Sequence, residues 1–251
     1  MTDLLLVPLL LLAMLVALHG WFGVGILQRN VIFTDLAIAQ FAALGSAVSL
    51  GYFHDEHRYL FTLGFALACA LFIALASRRN LHLEAFIGLL YVTGASGIMM
   101  VLAHSSEGLE HFKALLASDI LFVTSGELVE SGLIYAVIAL VLWGVYPRTS
   151  GFARELLFFS LLAVTVTSSV QLTGVLVVFV LLIAPALVGT MQRRFNPFAV
   201  AWLYGWSITA AGVVAAYSLD LPTGYSVVFL ASAATLAAVV LLSGKASAPS
   251  K

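Results

Sequence analysis

The chain has 251 residues, of which 62% are hydrophobic and only 9% are charged, and its formal net charge is −1. Soluble domains carry about 25% charged residues, so this composition excludes a soluble globular protein and predicts a protein that crosses the lipid bilayer several times. The nearly neutral charge excludes the basic surface with which proteins bind nucleic acid. The single cysteine, Cys69, excludes an internal disulfide and a zinc cluster made of cysteines.

Apolar stretches that could cross a membrane follow one another along the whole chain. A helix needs about 20 apolar residues to cross the hydrocarbon core. Such stretches lie at 4–27, 31–53, 59–77, 84–103, 127–146, 154–168, 173–191, 198–218 and 223–243. They predict an all-α, polytopic transmembrane helix bundle with about nine spans, of which the sixth is short, in a single domain over residues 1–251. Within 154–191 the hydropathy allows two short helices or one broken helix.

The loops between these stretches alternate in charge. Basic residues are concentrated in every second loop, at Arg29, 78–80, Arg148, Arg154, 192–194, Lys245 and Lys251. The other loops, at 54–58, 104–111, 168–174 and 219–224, show no such excess. Because short loops rich in lysine and arginine stay in the cytoplasm, the pattern predicts a multi-pass protein of the cytoplasmic (inner) membrane. Its N-terminus is expected outside and its C-terminus inside.

The second apolar stretch contains two polar side chains, Asp35 and Gln40. A charge in the bilayer core costs at least about 3 kcal/mol, so an aspartate at this position is a functional hypothesis. The alternative is that Asp35 caps a helix or pairs within the bundle, with Arg29 or with the polar cluster at 165–171. A similar polar interruption within 164–189 is typical of discontinuous helices that line transport sites, or of two short spans joined by a tight turn.

Four of the six histidines lie in the two outer loops, next to acidic residues: His54, His57, His104 and His111. Imidazoles and carboxylates together suit borderline divalent cations, so these loops could collect a metal ion or dock a protein that carries one. The alternative is a polar, solvated loop. His19, in the first stretch, is either a packing and hydrogen-bonding residue or, if its helix lies beside Asp35, a nitrogen ligand.

The catalytic motifs that were considered are absent from the sequence or incomplete. The zinc-protease motif H-E-x-x-H is absent. The small residues of 94–97 resemble the serine motif of rhomboid proteases, but no histidine follows His111 to complete a dyad, so they predict close helix packing instead. The segment 243–247 lacks the pattern of a phosphate-binding loop, so ATP would have to be hydrolysed on another chain. The sequence therefore predicts a protein that is not itself an enzyme.

Five motifs in chain order resemble the membrane permeases of the ABC importers for zinc, manganese and iron. They are "QRNVIFTDLAIAQFAALG", "EAFIGLLYVTGASGIMMVL", "KALLASDILFVTSGEL", "VQLTGVLVVFVLLIAPALV" and "LDLPTGYSVVFLASA". The resemblance implies the permease subunit of an ATP-driven divalent-metal importer, for zinc or manganese before iron. Such a permease works by alternating access as a homodimer, with a separate ABC ATPase subunit and an extracytoplasmic metal-binding protein, and binds no cofactor itself.

The resemblance also implies roles for particular residues. Asp35 and Gln40 are expected to line the translocation path for the metal, and His19 is expected to join them if its helix lies adjacent. The connection at 146–155 is shorter than in the family. Either this connection contacts the ATPase, through Arg148, Phe152, Arg154 and Glu155, or another loop shares the contact. The residues leave one alternative function open, which is a stand-alone proton-coupled secondary transporter in which Asp35 and Glu84 relay protons.

The path motif departs from the family pattern at one position. The family usually places a histidine four residues after the aspartate, but here Ala39 occupies that position and Gln40 follows it. Five residues turn a straight helix by about 500°, which leaves the two polar side chains about 140° apart unless a local bulge realigns them. Oxygen ligands without an imidazole suit manganese or ferrous iron better than zinc.

Overall fold

The computed structural model describes residues 2–78, 82–103, 120–192 and 195–246. Within these ranges the regular structure is helical and contains no strand. The α-helices, numbered in chain order, are α1 Thr2–Arg29, α2 Thr34–Phe53, α3 Arg58–Ser77, α4 Leu83–Leu102, α5 Ser125–Gly144, α6 Gly151–Thr173, α7 Val175–Met191, α8 Pro197–Leu219 and α9 Thr223–Ala246. Two short 3₁₀ helices lie at Ile120–Phe122 and Tyr146–Arg148.

Eight of these helices are long and apolar enough to cross a membrane, and α7 is an apolar helix of only 17 residues. The all-α, polytopic fold predicted from the sequence is therefore confirmed.

The sixth predicted span, 154–168, is not short, and this prediction is wrong. Helix α6 extends over 23 residues, and the short helix is its successor, α7. Gly174 separates the two with φ of 82° and ψ of 160°, a conformation that is nearly restricted to glycine. Its N–H donates to the carbonyl oxygen of Val170 at 2.9 Å and so caps α6. The region 154–191 thus belongs to one long and one short helix.

Helix α6 continues through a polar segment because its hydroxyl groups are satisfied within the helix. Thr165, Ser169 and Thr173 are buried. Each hydroxyl donates to the backbone carbonyl four residues earlier, at 2.8, 2.6 and 3.0 Å respectively. A hydroxyl that is hydrogen-bonded in this way can be buried in an apolar environment without breaking the helix. Hydropathy alone does not register this compensation.

Contacts divide the chain into two compact units, which are described separately. Unit 1 consists of Met1–Arg29, Asp119–Leu128 and Leu176–Lys251, and it holds α1, α8, α9 and nearly all of α7. Unit 2 consists of Asn30–Ser118 and Val129–Val175, and it holds α2, α3, α4, α6 and most of α5. The single domain expected over residues 1–251 stays a prediction.

In unit 1, helix α8 packs against both α1 and α9. Its approach depends on Gly205, because a Cβ atom added there would lie 2.7 Å from side-chain atoms of Pro185 and of Val16. A core cluster that includes Val180 and Ala231 joins α7 to α9.

Helix α2 is the central element of unit 2, since it packs against α3, α4 and α6. Glycines allow these close approaches. A Cβ atom added to Gly94 of α4 would lie 2.9 Å from the Cβ atom of Gln40, and Gly97 lies against Leu44. The close packing predicted for the small residues of 94–97 is confirmed. The surrounding helices bury the first half of α2, which includes Asp35 and Gln40.

Candidate functional site

Asp35 lies in the first turn of α2, where its side chain is only 2% exposed. The Oδ1 atom has no hydrogen-bond partner within the part of the chain that the structure describes. The free N–H groups at the start of a helix stabilise a nearby carboxylate, which helps α2 to hold a buried acid. The unpartnered oxygen is still costly unless a proton or a cation occupies it.

Helix α4 brings a second carboxylate to the same end of α2. Glu84 Oε1 accepts a hydrogen bond from the backbone N–H of Phe33, the residue before α2, at 3.3 Å. Its Oε2 atom is buried and, among the described residues, has no hydrogen-bond partner. The hydroxyl of Thr34 donates to the carbonyl oxygen of Val31 at 2.7 Å and closes the turn between them. Two acidic side chains, each with one unpartnered oxygen, therefore flank the turn at 31–35.

Glu84 was not among the metal-path residues predicted from the sequence, which paired it with Asp35 only in the alternative of a proton relay. A signal was available, because Glu84 is an acidic side chain at the start of a membrane span, and acidic residues within such spans are rare. The sequence does not reveal that this turn of α4 lies beside the start of α2. That juxtaposition depends on packing across about 50 residues of chain, since the hydrogen bond joins residues 51 apart.

Gln40 lies further along α2, against a cavity of about 440 Å³ in unit 2. Its side chain is 8% exposed, and its Oε1 atom has no hydrogen-bond partner among the described residues. Helices α2, α3 and α6 and the first residue of α7 line the cavity, which is open on one side. Its polar lining residues are Gln40, Ser46, Arg58, Tyr59, Thr62, Thr167 and Gln171. The rest of the lining consists of alanine and valine.

The structure places Asp35 and Gln40 in different surroundings. Helix α2 is α-helical from Thr34 to Phe53 without the bulge that could realign the two side chains. A straight helix keeps them about 140° apart, and Asp35 is not among the residues that line the cavity. Their joint role in a metal path stays a prediction.

His19 belongs to α1 in unit 1 and is fully buried. Its Nδ1 atom lies 2.9 Å from the carbonyl oxygen of Leu15, one helical turn earlier, which fits the packing and hydrogen-bonding interpretation. Its role as a nitrogen ligand stays a prediction. Within the ranges that the structure describes, no three side chains of histidine, cysteine, aspartate or glutamate gather where they could hold a metal ion.

The predicted outer loop between α2 and α3 is a tight turn with exposed side chains. His54 and His57 adopt left-handed backbone angles, with φ of 54° and 57°, and both side chains are exposed. The hydroxyl of Ser49 donates to the carbonyl oxygen of Glu56 at 2.7 Å and holds the turn. His104 and His111 lie outside the described residues. The proposed role of the four imidazoles therefore stays a prediction.

The predicted cytoplasmic connection between α5 and α6 is held by cation–π contacts. The guanidinium of Arg154 lies 4.8 Å from the ring centre of Tyr146, and that of Arg78 lies 4.9 Å from the ring centre of Phe152. Arg78 and Tyr146 were missed by the sequence analysis, because cation–π pairs of this kind have no local sequence signature. Arg148 donates to the carbonyl oxygen of Gly144.

The remaining candidate residues of this connection differ in exposure. Arg148 and Arg154 are exposed, whereas Phe152 and Glu155 are partly buried. The contact of all four with an ATPase stays a prediction.

Known proteins similar to this chain are transport proteins of membranes. The sequence matches the profile of the ABC 3 transport family over residues 2–242. It is 24% identical over 241 residues to the "Probable iron transport system membrane protein" of Haemophilus influenzae. This alignment covers 89% of this chain and 84% of that protein. It is 26% identical over 212 residues to the "Probable metal transport system membrane protein" of Thermotoga maritima. This alignment covers 78% of this chain and 74% of that protein.

A solved structure shares the fold. PsaBC from Streptococcus pneumoniae, in complex with Fab, superposes with a TM-score of 0.75 at 18% sequence identity. The superposition covers 94% of this chain and 90% of that chain.

Proposed function

The chain belongs to the ABC 3 transport family, and from this premise we propose that it is the permease subunit of an ATP-driven importer for a divalent transition metal. Membership makes the chain a multi-pass membrane component of a transporter rather than an enzyme, in agreement with its eight candidate spans. The names of two relatives support a metal as the cargo, since one specifies iron and the other a metal.

The partners in this proposal are those of an ABC importer. The permease forms a homodimer, binds a separate ABC ATPase subunit that hydrolyses ATP, and receives the ion from an extracytoplasmic metal-binding protein. It lies in the cytoplasmic membrane with its N-terminus outside and its C-terminus inside. The family match over residues 2–242 supports a single permease domain. The exposed Arg148 and Arg154 support an ATPase contact at the short connection between α5 and α6.

The observation that carries the proposal is the pair of unpartnered carboxylate oxygens at the start of α2. Oδ1 of Asp35 and Oε2 of Glu84 are both buried, and neither has a hydrogen-bond partner among the described residues. Charge of this kind is kept inside a membrane protein where it serves an ion pathway. A divalent ion that has lost part of its hydration shell is stabilised by these two oxygens, and the ion in turn removes the cost of burying them.

The ligand types favour one group of metals. Carboxylate and amide oxygens suit manganese and ferrous iron, whereas zinc prefers sets that include imidazole or thiolate. Gln40 would add an amide oxygen at a second step along the path, because its Oε1 atom is buried and unpartnered among the described residues. We therefore propose manganese or ferrous iron as the preferred cargo and keep zinc as the competing ion.

The test is metal uptake by vesicles that contain the permease and the ATPase that co-purifies with it in mild detergent. We expect uptake of radiolabelled Mn²⁺ or Fe²⁺ to require ATP hydrolysis, with a non-hydrolysable ATP analogue as the control. Excess unlabelled Zn²⁺ should compete weakly. Uptake by the permease alone, without any ATPase, would reject the proposal.

One observation favours the alternative of a proton-coupled secondary transporter. The same two oxygens of Asp35 and Glu84 could each carry a proton, because both are buried and without a partner in the described part of the chain. Such a transporter would move its cargo without ATP and stop when an uncoupler collapses the proton gradient. An ABC importer would continue under the uncoupler as long as ATP is supplied.

A further inference from the structure

Helix α3 is attached to a different neighbouring helix at each of its two ends. At its first residue, Arg58 donates from Nε to the hydroxyl of Ser46 on α2 at 2.9 Å. At its other end, the guanidinium of Arg78, the residue that caps α3, lies 4.9 Å from the ring centre of Phe152 in the first turn of α6. Helix α3 therefore connects the start of α6 to the helix that carries Asp35.

Helices α2 and α3 are packed closely enough to move together. A Cβ atom added to Gly45 of α2 would overlap the backbone carbonyl of Phe61 on α3, so the two backbones approach each other without a side chain between them. Well-packed protein interiors are hard to compress and therefore transmit a displacement. A displacement of α3 is thus passed to α2, and with it to Asp35.

The connection between α5 and α6 is fixed to α6 through one buried ring. Tyr146, the first residue of the 3₁₀ helix, is only 6% exposed. Its ring centre lies 6.4 Å from that of Phe158 and 4.8 Å from the guanidinium of Arg154, and both partners belong to α6. The 3₁₀ helix and the first turns of α6 therefore form one rigid piece, on which Phe152 is also carried.

The ring of Phe152 is what holds the guanidinium of Arg78 in place. The Arg78 side chain is exposed and forms no ion pair with any residue that the structure describes. A guanidinium is attracted to the face of an aromatic ring even at an exposed site. The contact thus links the rigid piece at the start of α6 to the end of α3 without using a carboxylate.

We propose that Arg78 is a positioning residue for transport, which passes the movement of the connection at 146–155 to α3 and, through α3, to α2 and Asp35. This inference rests on the proposed function, in which the ATPase contacts that connection. When the ATPase displaces the connection, Phe152 carries the guanidinium of Arg78 with it, and the end of α3 follows. The competing route is the direct packing of α6 on α2 and α3, which does not require Arg78.

The test is the number of Mn²⁺ ions taken up per ATP hydrolysed by vesicles that contain the permease and its co-purified ATPase. We expect Arg78→Gln to lower this ratio about twofold to fivefold, which corresponds to the loss of an exposed cation–π contact. The thermal midpoint and the amount of bound ATPase should not change, because Arg78 is exposed. Arg78→Lys should restore part of the ratio, since lysine keeps the charge but not the planar fork.

Leu75→Ala is the matched control in the last turn of the same helix. Its side chain is 44% exposed and uncharged, so its removal should leave the ratio of ions to ATP at the wild-type value. An equal loss of the ratio in Leu75→Ala and Arg78→Gln would contradict a specific role of the guanidinium.

A double-mutant cycle tests the contact itself. Phe152→Leu removes the ring and should lower the ratio, whereas Phe152→Tyr keeps the ring and should retain more of it. The variant with both Arg78→Gln and Phe152→Leu should lose no more than the stronger single variant, because both substitutions break the same contact.

Three results would overturn the inference. They are a wild-type ratio in Arg78→Gln, additive losses in the double variant, and release of the ATPase from Arg78→Gln, since Arg78 would then contact the ATPase directly. Failure of the proposed function looks different: the wild-type protein itself would then take up Mn²⁺ without ATP, or not at all. A coupled wild type with a fully coupled Arg78→Gln refutes only the role of Arg78.

Discussion

Helices α2 and α6 both carry polar side chains inside apolar sequences, but the hydrogen bonding of these side chains differs between the two helices. In α6, the hydroxyls of Thr165, Ser169 and Thr173 donate to carbonyl oxygens of their own helix. In α2, Asp35 Oδ1 and Gln40 Oε1 find no partner among the described residues. The polar cluster that looks larger in the sequence is thus the one that the backbone already satisfies.

The difference follows from chemistry. A hydroxyl can donate to the carbonyl four residues earlier, since helix carbonyls accept a second hydrogen bond. A carboxylate or an amide oxygen accepts only, and the N–H groups of a helix interior are already used. An acceptor buried in the interior of a membrane helix, such as Gln40 Oε1, must therefore find a partner outside its helix, such as another side chain, water or a ligand. Asp35 lies in the first turn, where N–H groups are free, and its Oδ1 atom still has no partner among the described residues. This makes unpartnered acceptors better indicators of a transport site than polar composition is.

The largest expected effect is that of Asp35→Asn. This change keeps the size of the side chain and removes the charge that offsets the lost hydration of a divalent ion. We expect uptake per folded molecule to fall about 100-fold or more while expression is maintained, because the change relieves a buried carboxylate. Uptake should be normalised to folded protein in the membrane.

Asp220→Asn is the matched control for Asp35→Asn. Asp220 is exposed and follows α8 with φ of 53°, a conformation that asparagine adopts readily, so its uptake should equal that of the wild type. If Asp35→Asn lowers expression but the surviving protein transports normally, Asp35 has a structural role and the contrast between α2 and α6 loses its functional meaning.

Glu84→Gln is expected to have the next largest effect, about a tenfold loss of uptake. Glutamine can still accept the hydrogen bond from the N–H of Phe33, so the turn before α2 should survive and only the charge is lost. Glu84→Ala removes both the charge and the acceptor of the hydrogen bond from Phe33. If Glu84→Gln transports like the wild type and Glu84→Ala does not, Glu84 only anchors the turn.

The sequence sufficed to predict the fold class and to single out Asp35 as a candidate, but not the geometry around it. Hydropathy and a carboxylate in a membrane span are local properties, and both led to Asp35. The neighbourhood of Asp35 and Glu84 results from the packing of α4 on α2 and could not be read from periodicity. The length of α6 was missed for a different reason, because hydropathy scales treat a hydroxyl such as that of Ser169 as if it were unpartnered.

Gly94→Ala should perturb Gln40 through packing alone. The added methyl group would lie 2.9 Å from the Cβ atom of Gln40, so α4 must move away from α2 or Gln40 must change its position. Overpacking of this kind costs about 1 to 3 kcal/mol, and we expect a lower thermal midpoint and a severalfold loss of uptake.

Gly88→Ala is the matched control on the same helix, since no atom lies within 4 Å of its added methyl group. Alanine has the higher helix propensity, so Gly88→Ala should be neutral or stabilising. Equal behaviour of the two variants would show that the contact between α4 and Gln40 does not constrain the site.

The smallest effect is expected for Ser169→Ala, which tests the other half of the comparison. The hydroxyl of Ser169 donates to the carbonyl oxygens of Thr165 and Val166 at 2.6 and 3.3 Å. Both carbonyls belong to a continuous helix whose backbone hydrogen bonds remain after the substitution, so the change should cost about 0.6 kcal/mol or less. We expect uptake within about twofold of the wild type and a nearly unchanged thermal midpoint. A tenfold loss of uptake at unchanged stability would mean that the polar segment of α6 contacts the transported ion, and that hydrogen bonding within the helix does not mark a residue as structural.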